Sequence, residues 1–162
     1  MELRDIVIQG RKSLTLPWEE IQVMPIGDVQ FGTVDCDADR LRHQVEWAIA
    51  QEKSGGPPVY YLGMGDYVDS LSPSNRQTWR SAAMYDVAQN MMAEKAEEYI
   101  YGFLKLVAGT EGRWLGLLEG HHFFQFEDGT TSDTRIAKAL ATTHLGSCAF
   151  VRLRFRQLKT SM

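Results

Sequence analysis

Acidic, amide and imidazole side chains follow three short apolar runs of the sequence, each close after a glycine. Carboxylate oxygens and imidazole nitrogens together suit Mn, Fe, Zn or Mg ions. A bridging carboxylate can hold two cations about 3.5 to 4 Å apart, and such a pair can clamp a phosphate and activate a water. The residue types therefore predict a divalent-metal site. Its three groups are Asp28 with Gln30, Asp66 with Asp69, and His121 with His122.

The elements that precede these groups determine where the groups should lie. The apolar runs 21–26, 59–62 and 114–118 are too short for helices and are typical of buried strands. A helix is predicted between the first two, from N-cap candidates at 35–39 to a break at 54–58. Strand, crossover helix and strand form a βαβ unit, in which ligands gather at the carboxyl ends of the strands. We therefore expect the three groups to converge on one edge of a sheet.

The rest of the chain predicts further elements around this unit. We interpret Gly10-Arg11-Lys12 and Pro17 as breaks between the first strand and the second. The fold class that follows is mixed α/β, a layered β-sheet flanked by helices, in a single domain over residues 1–162. The further elements are a strand at 6–8, one long helix or two in series over 76–107, a short helix over 131–140 and a strand over 151–155.

Composition and charge are those of one globular domain. The 162 residues are 44% hydrophobic and carry a net charge of −4, which argues against a non-specific coat for nucleic acid. A nuclease stays possible, because carboxylates that hold cations are counted as negative charge. Arg152, Arg154 and Arg156 share one face of the last strand. Such alternation is typical of a solvated sheet face, and contact with nucleic-acid phosphates is the alternative.

The cysteines and the apolar runs bear on the cellular compartment. Cys36 and Cys148 lie far apart and match neither a disulfide framework nor a metal-binding pattern, so both are expected to be free thiols. No run approaches the roughly 18 apolar residues of a membrane span. We therefore expect a cytoplasmic protein that does not associate with a membrane.

The three groups and their order resemble the calcineurin-like metallophosphoesterase family. That family follows successive strands with D-x-H, G-D-x-x-D and G-N-H-[DE] blocks. The resemblance covers about residues 20 to 125, and its first two blocks look like those of phage and bacterial members. Here the blocks are Asp28-Val29-Gln30, Gly65-Asp66-Tyr67-Val68-Asp69 and Gly120-His121-His122.

The resemblance implies roles for five residues. Asp28 and Gln30 would bind the first of two divalent ions, which are Mn, Fe, Zn or Mg in the family. Asp66 would bridge both ions, and His121 would bind the second. His122 would be the catalytic histidine, which hydrogen-bonds the scissile phosphate or protonates the leaving oxygen. The implied reaction is in-line attack by a metal-activated water on a phosphoester.

The resemblance also implies a fold and a substrate class. The fold would be part of a four-layer α/β/β/α sandwich. Nuclease and phosphatase activities both stay open, with nucleic acid or nucleotides slightly favoured as substrates. Arg76, just past the second block, is predicted to bind a substrate phosphate, and a helix-capping turn is the alternative there.

Three departures from the family pattern motivate a second hypothesis. Gln30 stands where the family has histidine, His121 stands where it has asparagine, and no G-H-x-H block follows. On this hypothesis the chain is a truncated or degenerate copy that binds fewer ions and acts at most as an interaction module. An incomplete sandwich could also expose an unpaired sheet edge and form a homodimer.

Ordinary structural roles are the alternatives for several of these residues. A lone aspartate such as Asp28 is common in turns, and Asp69 is expected to cap the loop that begins at Ser70 rather than to orient a ligand. The His121-His122 pair could simply pack beside the phenylalanines that follow it. His43 is expected on the surface of a helix, and His144 at a helix end rather than at a metal.

Overall fold

A computed structural model describes residues 10–17, 19–70 and 86–157 of the chain. The mixed α/β class predicted from the sequence is confirmed. The described residues form five strands and three helices: β1 (Gly10–Pro17), β2 (Gln22–Ile26), α1 (Ala38–Lys53), β3 (Val59–Gly63), α2 (Asp86–Leu106), β4 (Trp114–Leu117), α3 (Ser132–Ala139) and β5 (Ala149–Arg156).

Two small parallel sheets organise the described residues. The first has the order β2-β3-β4, and the second pairs β1 with β5. The strands of the first sheet fall where the sequence predicts them, with α1 crossing between β2 and β3. The strand predicted at 6–8 lies outside the described residues, as does the first part of the helical region predicted over 76–107.

Strand β1 corrects the sequence prediction. Gly10-Arg11-Lys12 and Pro17, interpreted there as breaks, are the ends of one strand that pairs in parallel register with β5 over eight residues. Within it Leu14 and Leu16 are more buried than their neighbours, so the strand has the two-residue alternation of a half-buried sheet. Proline is tolerated at the end of such a strand because, among the described strands, β1 pairs with β5 alone.

Helix α1 forms for local reasons that the sequence contains. Leu41, Val45 and Ala48 are buried at helical spacing, which presents one apolar face to the sheet. The Asp37 side chain accepts a hydrogen bond from the Arg40 N–H (3.0 Å) and so caps the first turn. Lys53 in the last turn complements the helix dipole.

The core lies between the three-stranded sheet and the helices. Val59 and Tyr61 of β3 and Leu117 of β4 are buried there with Phe103 of α2 and Ile136 of α3. Fully burying side chains of this size contributes about 1.5 to 3 kcal/mol each. No helix of the described residues is both long enough and apolar enough to cross a membrane.

Tyr67 connects this core to the edge of the sheet. Its ring is fully buried 5.5 Å from that of Phe103, and its hydroxyl donates to the Leu118 carbonyl (2.7 Å). Burial raises the pKa of this phenol, so it stays a protonated donor. The segment that follows β3 is thereby fastened to the end of β4.

Candidate metal centre

The carboxyl ends of β2, β3 and β4 lie at one edge of the sheet, as the sequence predicts. Backbone hydrogen bonds join the loops that follow them: Asp28 N–H donates to the Gly65 carbonyl (3.1 Å), and Gln30 N–H to the Asp66 carbonyl (2.9 Å). Leu118 N–H donates to the Gly63 carbonyl (2.9 Å). The three groups of candidate ligands are therefore neighbours.

Three of the predicted residues form a compact group. One ligand atom from each of Asp66, His121 and His122 lies within 4.8 Å of the others, and Asp66 Oδ2 is 2.7 Å from His121 Nδ1. The Asp66 side chain is 12% exposed and that of His121 64%, so the group is reached from solvent on one side. In the described residues no other group of three or more such side chains has this geometry.

Asp66 is held by main-chain contacts rather than by its neighbours' side chains alone. Its Oδ1 accepts hydrogen bonds from the backbone N–H of His121 (2.6 Å) and of His122 (3.1 Å). Its backbone φ is 51°, in the left-handed region that non-glycine residues rarely adopt. Asp66 Oδ1 thus positions the backbone of the histidine pair, and Asp66 Oδ2 lies beside the His121 ring.

Gly120 is required by this close approach. A Cβ atom there would lie 2.2 Å from the Asp66 backbone nitrogen and 2.4 Å from Asp66 Oδ1, well inside contact distance. Because part of that obstacle is backbone, rotation of a side chain cannot relieve it. The glycine before the histidine pair therefore has a steric reason.

His122 is oriented by Asp69. His122 Nδ1 lies 2.5 Å from Asp69 Oδ1, and Ser70 N–H donates to the His122 carbonyl (3.1 Å). A carboxylate that holds one ring nitrogen of a histidine leaves the other for a ligand or a proton. This contact agrees with the alternative that Asp69 orients a histidine. The loop that Asp69 is expected to cap continues beyond the described residues, so its role as a cap stays a prediction.

Asp28 and Gln30 form a separate pair at the same edge. Gln30 Nε2 donates to Asp28 Oδ1 (2.8 Å), and both residues have left-handed backbones. Asp28 does not belong to the group of ligand atoms that lie within 4.8 Å of one another. Their assignment as ligands stays a prediction. Arg76 lies outside the described residues.

Ser132 and Asp133 hold the loop that carries His121 and His122, which we call the histidine loop. The sequence prediction missed this role. Asp133 Oδ2 accepts from the Gly120 N–H (2.8 Å), and Ser132 Oγ accepts from the Phe124 N–H (3.1 Å). Both side chains are fully buried at the start of α3. Burial raises the pKa of the Asp133 carboxyl, while the Gly120 N–H acts in the opposite direction.

The remaining histidines lie apart from the group. His43 is exposed on α1, as expected. His144 follows α3, and its Nε2 lies 4.0 Å from Glu119 Oε2, behind the loop that carries the histidine pair. Neither belongs to the compact group. His144 lies four residues beyond the cap of α3 and forms a parallel bridge with Leu117, rather than standing at the helix end.

A divalent ion fits the chemistry of the donor set. Carboxylate oxygens and imidazole nitrogens are ligands that Zn, Fe and Mn accept, and Asp66 and His121 each offer one such atom to the group. His122 lies beside them, with its Nδ1 held by Asp69.

The fold and the site together define an α/β protein with an Asp/His/His group at the carboxyl edge of a parallel sheet. Comparison of the chain with models of protein families, with curated proteins and with solved structures finds no match.

Proposed function

We propose that this protein is a divalent-metal-dependent phosphoester hydrolase of the nuclease or phosphatase type. The observation that carries the proposal is the grouping of Asp66, His121 and His122 at the carboxyl edge of the sheet. The order of the three sequence blocks supports the same conclusion through the family resemblance. On this proposal the described sheets and helices correspond to part of a four-layer α/β/β/α sandwich.

The residues of the site have separate tasks in this proposal. A divalent cation bound there would supply the charge that lowers the pKa of a water and offsets the charge of the phosphate. Asp66 and His121 hold that cation. His122, with Nδ1 held by Asp69, presents Nε2 to a phosphate oxygen or to the leaving group.

The compact group favours one strongly held ion over two. A second ion needs Asp28 and Gln30, whose side chains bond to each other. To serve as a ligand, Gln30 must turn its amide oxygen rather than its nitrogen to the ion. We therefore propose that Asp66, His121 and their neighbours bind the tighter of the two ions.

An interaction module without turnover is the second candidate. The observation that favours this candidate is the hydrogen bond between Gln30 and Asp28. These are the two residues that the family resemblance assigns to the first metal, and here their side chains bind each other. The two candidates differ in one measurable respect. An enzyme must lose turnover when its cation is removed, whereas an interaction module keeps partner binding.

The test is hydrolysis of bis-p-nitrophenyl phosphate by the purified chain with added Mn²⁺. Asp66→Asn is the sharp variant, because an amide oxygen can still accept the backbone N–H groups of the histidine pair while the second carboxylate oxygen is lost. His43→Ala is the matched control, since His43 is exposed on α1. Turnover abolished by Asp66→Asn and by EDTA, and unchanged in His43→Ala, supports the enzyme.

The role of His122 is tested separately. We expect His122→Ala to lower kcat by a factor on the order of 10² or more, the range of general acid–base contributions. Its Mn²⁺ affinity by calorimetry should stay near that of the wild type. Absence of both turnover and Mn²⁺ binding in the wild-type chain would overturn the enzyme proposal and leave the interaction module.

A further inference from the structure

The outer face of the β1–β5 sheet carries a row of arginines. The parallel register pairs Arg11 with Phe150, Ser13 with Arg152, Thr15 with Arg154 and Pro17 with Arg156. Partners in a ladder point to the same side, and all eight of these residues are exposed. We call the set Arg11, Phe150, Arg152, Arg154 and Arg156 the arginine face.

The charge on this face has a single sign. Its four arginines form no ion pair with any acidic residue that the structure describes, although the protein as a whole carries a net charge of −4. Ordinary solvated sheet faces mix both signs, because like charges on neighbouring strands repel each other. A row of positive charge on an acidic protein fits a polyanionic partner.

We propose that the arginine face binds single-stranded nucleic acid. Arg152, Arg154 and Arg156 recur every second residue, about 6.7 Å apart along the strand, so they form a regular row of positive charge that a flexible phosphodiester backbone can follow. The guanidinium fork matches phosphate geometry. Phe150, 63% exposed on the same face, offers a ring on which an unpaired base can stack.

The arginine face begins near the candidate metal centre. The segment before β5 runs along β4: Leu145 N–H donates to the Leu117 carbonyl (2.8 Å), and Glu119 N–H donates to the Gly146 carbonyl (2.9 Å). Glu119 is two residues before His121, and β5 starts three residues after Gly146. A nucleic-acid strand bound along β5 thus has one end toward the metal edge. Binding of nucleic acid to the arginine face does not depend on the proposed function. The idea that the bound nucleic acid is also the substrate of the metal site does rest on it.

The test is fluorescence anisotropy of a labelled oligothymidylate in EDTA, so that cation binding plays no part. The variant is the triple change Arg152→Gln, Arg154→Gln and Arg156→Gln. We expect it to weaken binding by at least about tenfold and to reduce the slope of log K against log salt by about 2. The control removes the same charge from exposed positions elsewhere, with Arg40→Gln, Lys53→Gln and Lys138→Gln. It should change the affinity less than about twofold.

Phe150→Ala provides a second, charge-neutral measurement. Loss of one stacked base should weaken binding by roughly tenfold, with the salt slope unchanged. Equal weakening by the two triple variants, tighter binding to a duplex than to the single strand, or equal binding to phosphatidylserine vesicles would each overturn the proposal. Because hydrolysis of bis-p-nitrophenyl phosphate is measured separately, a failure here is distinguishable from a failure of the proposed function.

Discussion

Asp133→Ala removes the buried carboxylate that accepts the Gly120 N–H at 2.8 Å. A hydrogen bond to a charged acceptor contributes about 1.5 to 3 kcal/mol, and the variant also leaves the Gly120 N–H without this partner. We expect the free energy of unfolding to fall by about 2 to 3 kcal/mol. For a chain of this size, that corresponds to a decrease in Tm of roughly 4 to 12 °C.

The effect on the site should exceed the effect on stability alone. Without Asp133, the loop that begins at Gly120 loses an anchor one residue before His121. Residues that support metal ligands typically change metal affinity by about 10- to 100-fold. We expect Mn²⁺ affinity, measured by calorimetry well below the Tm, to fall within that range in Asp133→Ala. Asp39→Ala, which changes an exposed acid on α1, should leave it unchanged.

Asp133→Asn separates the hydrogen bond from the charge. The amide oxygen can still accept the Gly120 N–H, so Mn²⁺ affinity should stay within about threefold of the wild type. Burial raises the pKa of Asp133 above its usual 3.8, so the folded chain binds this proton more tightly than the unfolded chain. Stability from this group is therefore present below pH 3.8 and is lost as the pH rises through the folded pKa.

The pH dependence of the free energy of unfolding reports the charge of the Asp133 carboxylate. The interaction with His144 lowers the pKa of Asp133, and the charge of Glu119 raises it, but burial is the larger cause. Urea unfolding across this pH window should show that stability falls with rising pH more steeply in the wild type than in Asp133→Asn. Wild-type Mn²⁺ affinity in a folded Asp133→Ala variant would refute the reasoning, because the histidine loop would then be held without this carboxylate.

Two further variants test the contacts around the histidine pair. Asp69→Asn should lower kcat for bis-p-nitrophenyl phosphate by about 10- to 100-fold with Mn²⁺ affinity nearly unchanged, because it weakens the contact that orients His122; an unchanged kcat would contradict this role. Gly120→Ala should abolish Mn²⁺ binding measured by calorimetry, because its Cβ would lie 2.2 Å from the Asp66 nitrogen. Gly129→Ala should retain binding: its φ of 80° makes alanine costly for stability, but its Cβ meets nothing within 4 Å, and equal losses of binding in both variants would argue against the steric explanation.

The sequence was sufficient to predict which of these residues come together at the edge of the sheet. Short apolar runs that end in glycine and a polar residue indicate strand ends, and the crossover through α1 makes β2 and β3 parallel, so that both end at one edge. Asp66, His121 and His122 come together there because β3 and β4 are adjacent and parallel. Local pattern and general rules of chain topology carry this part of the prediction.

The contacts that hold the site were not predictable in the same way. Asp133 looks like an ordinary helix-start residue in sequence, and its role depends on a backbone N–H thirteen residues away. The parallel pairing of β1 with β5 joins segments at opposite ends of the chain, so the local signals at Gly10 and Pro17 are misleading. Tertiary contacts, rather than local propensity, decide both cases.

The distribution of hydrogen bonds explains why the two halves of the implied site differ. Asp66 Oδ1 is bonded to the main chain of the histidine pair, and this pair is fastened in turn to α3 through Gly120. That half is pre-organised by backbone contacts, so a cation finds its donors close to their final positions. A cation must displace the Asp66–His121 contact (2.7 Å) as well as the Asp28–Gln30 contact (2.8 Å). Among the described residues, however, no backbone N–H holds the Asp28 carboxylate in place as two of them hold that of Asp66. The order of affinity proposed for the two ions follows from this difference.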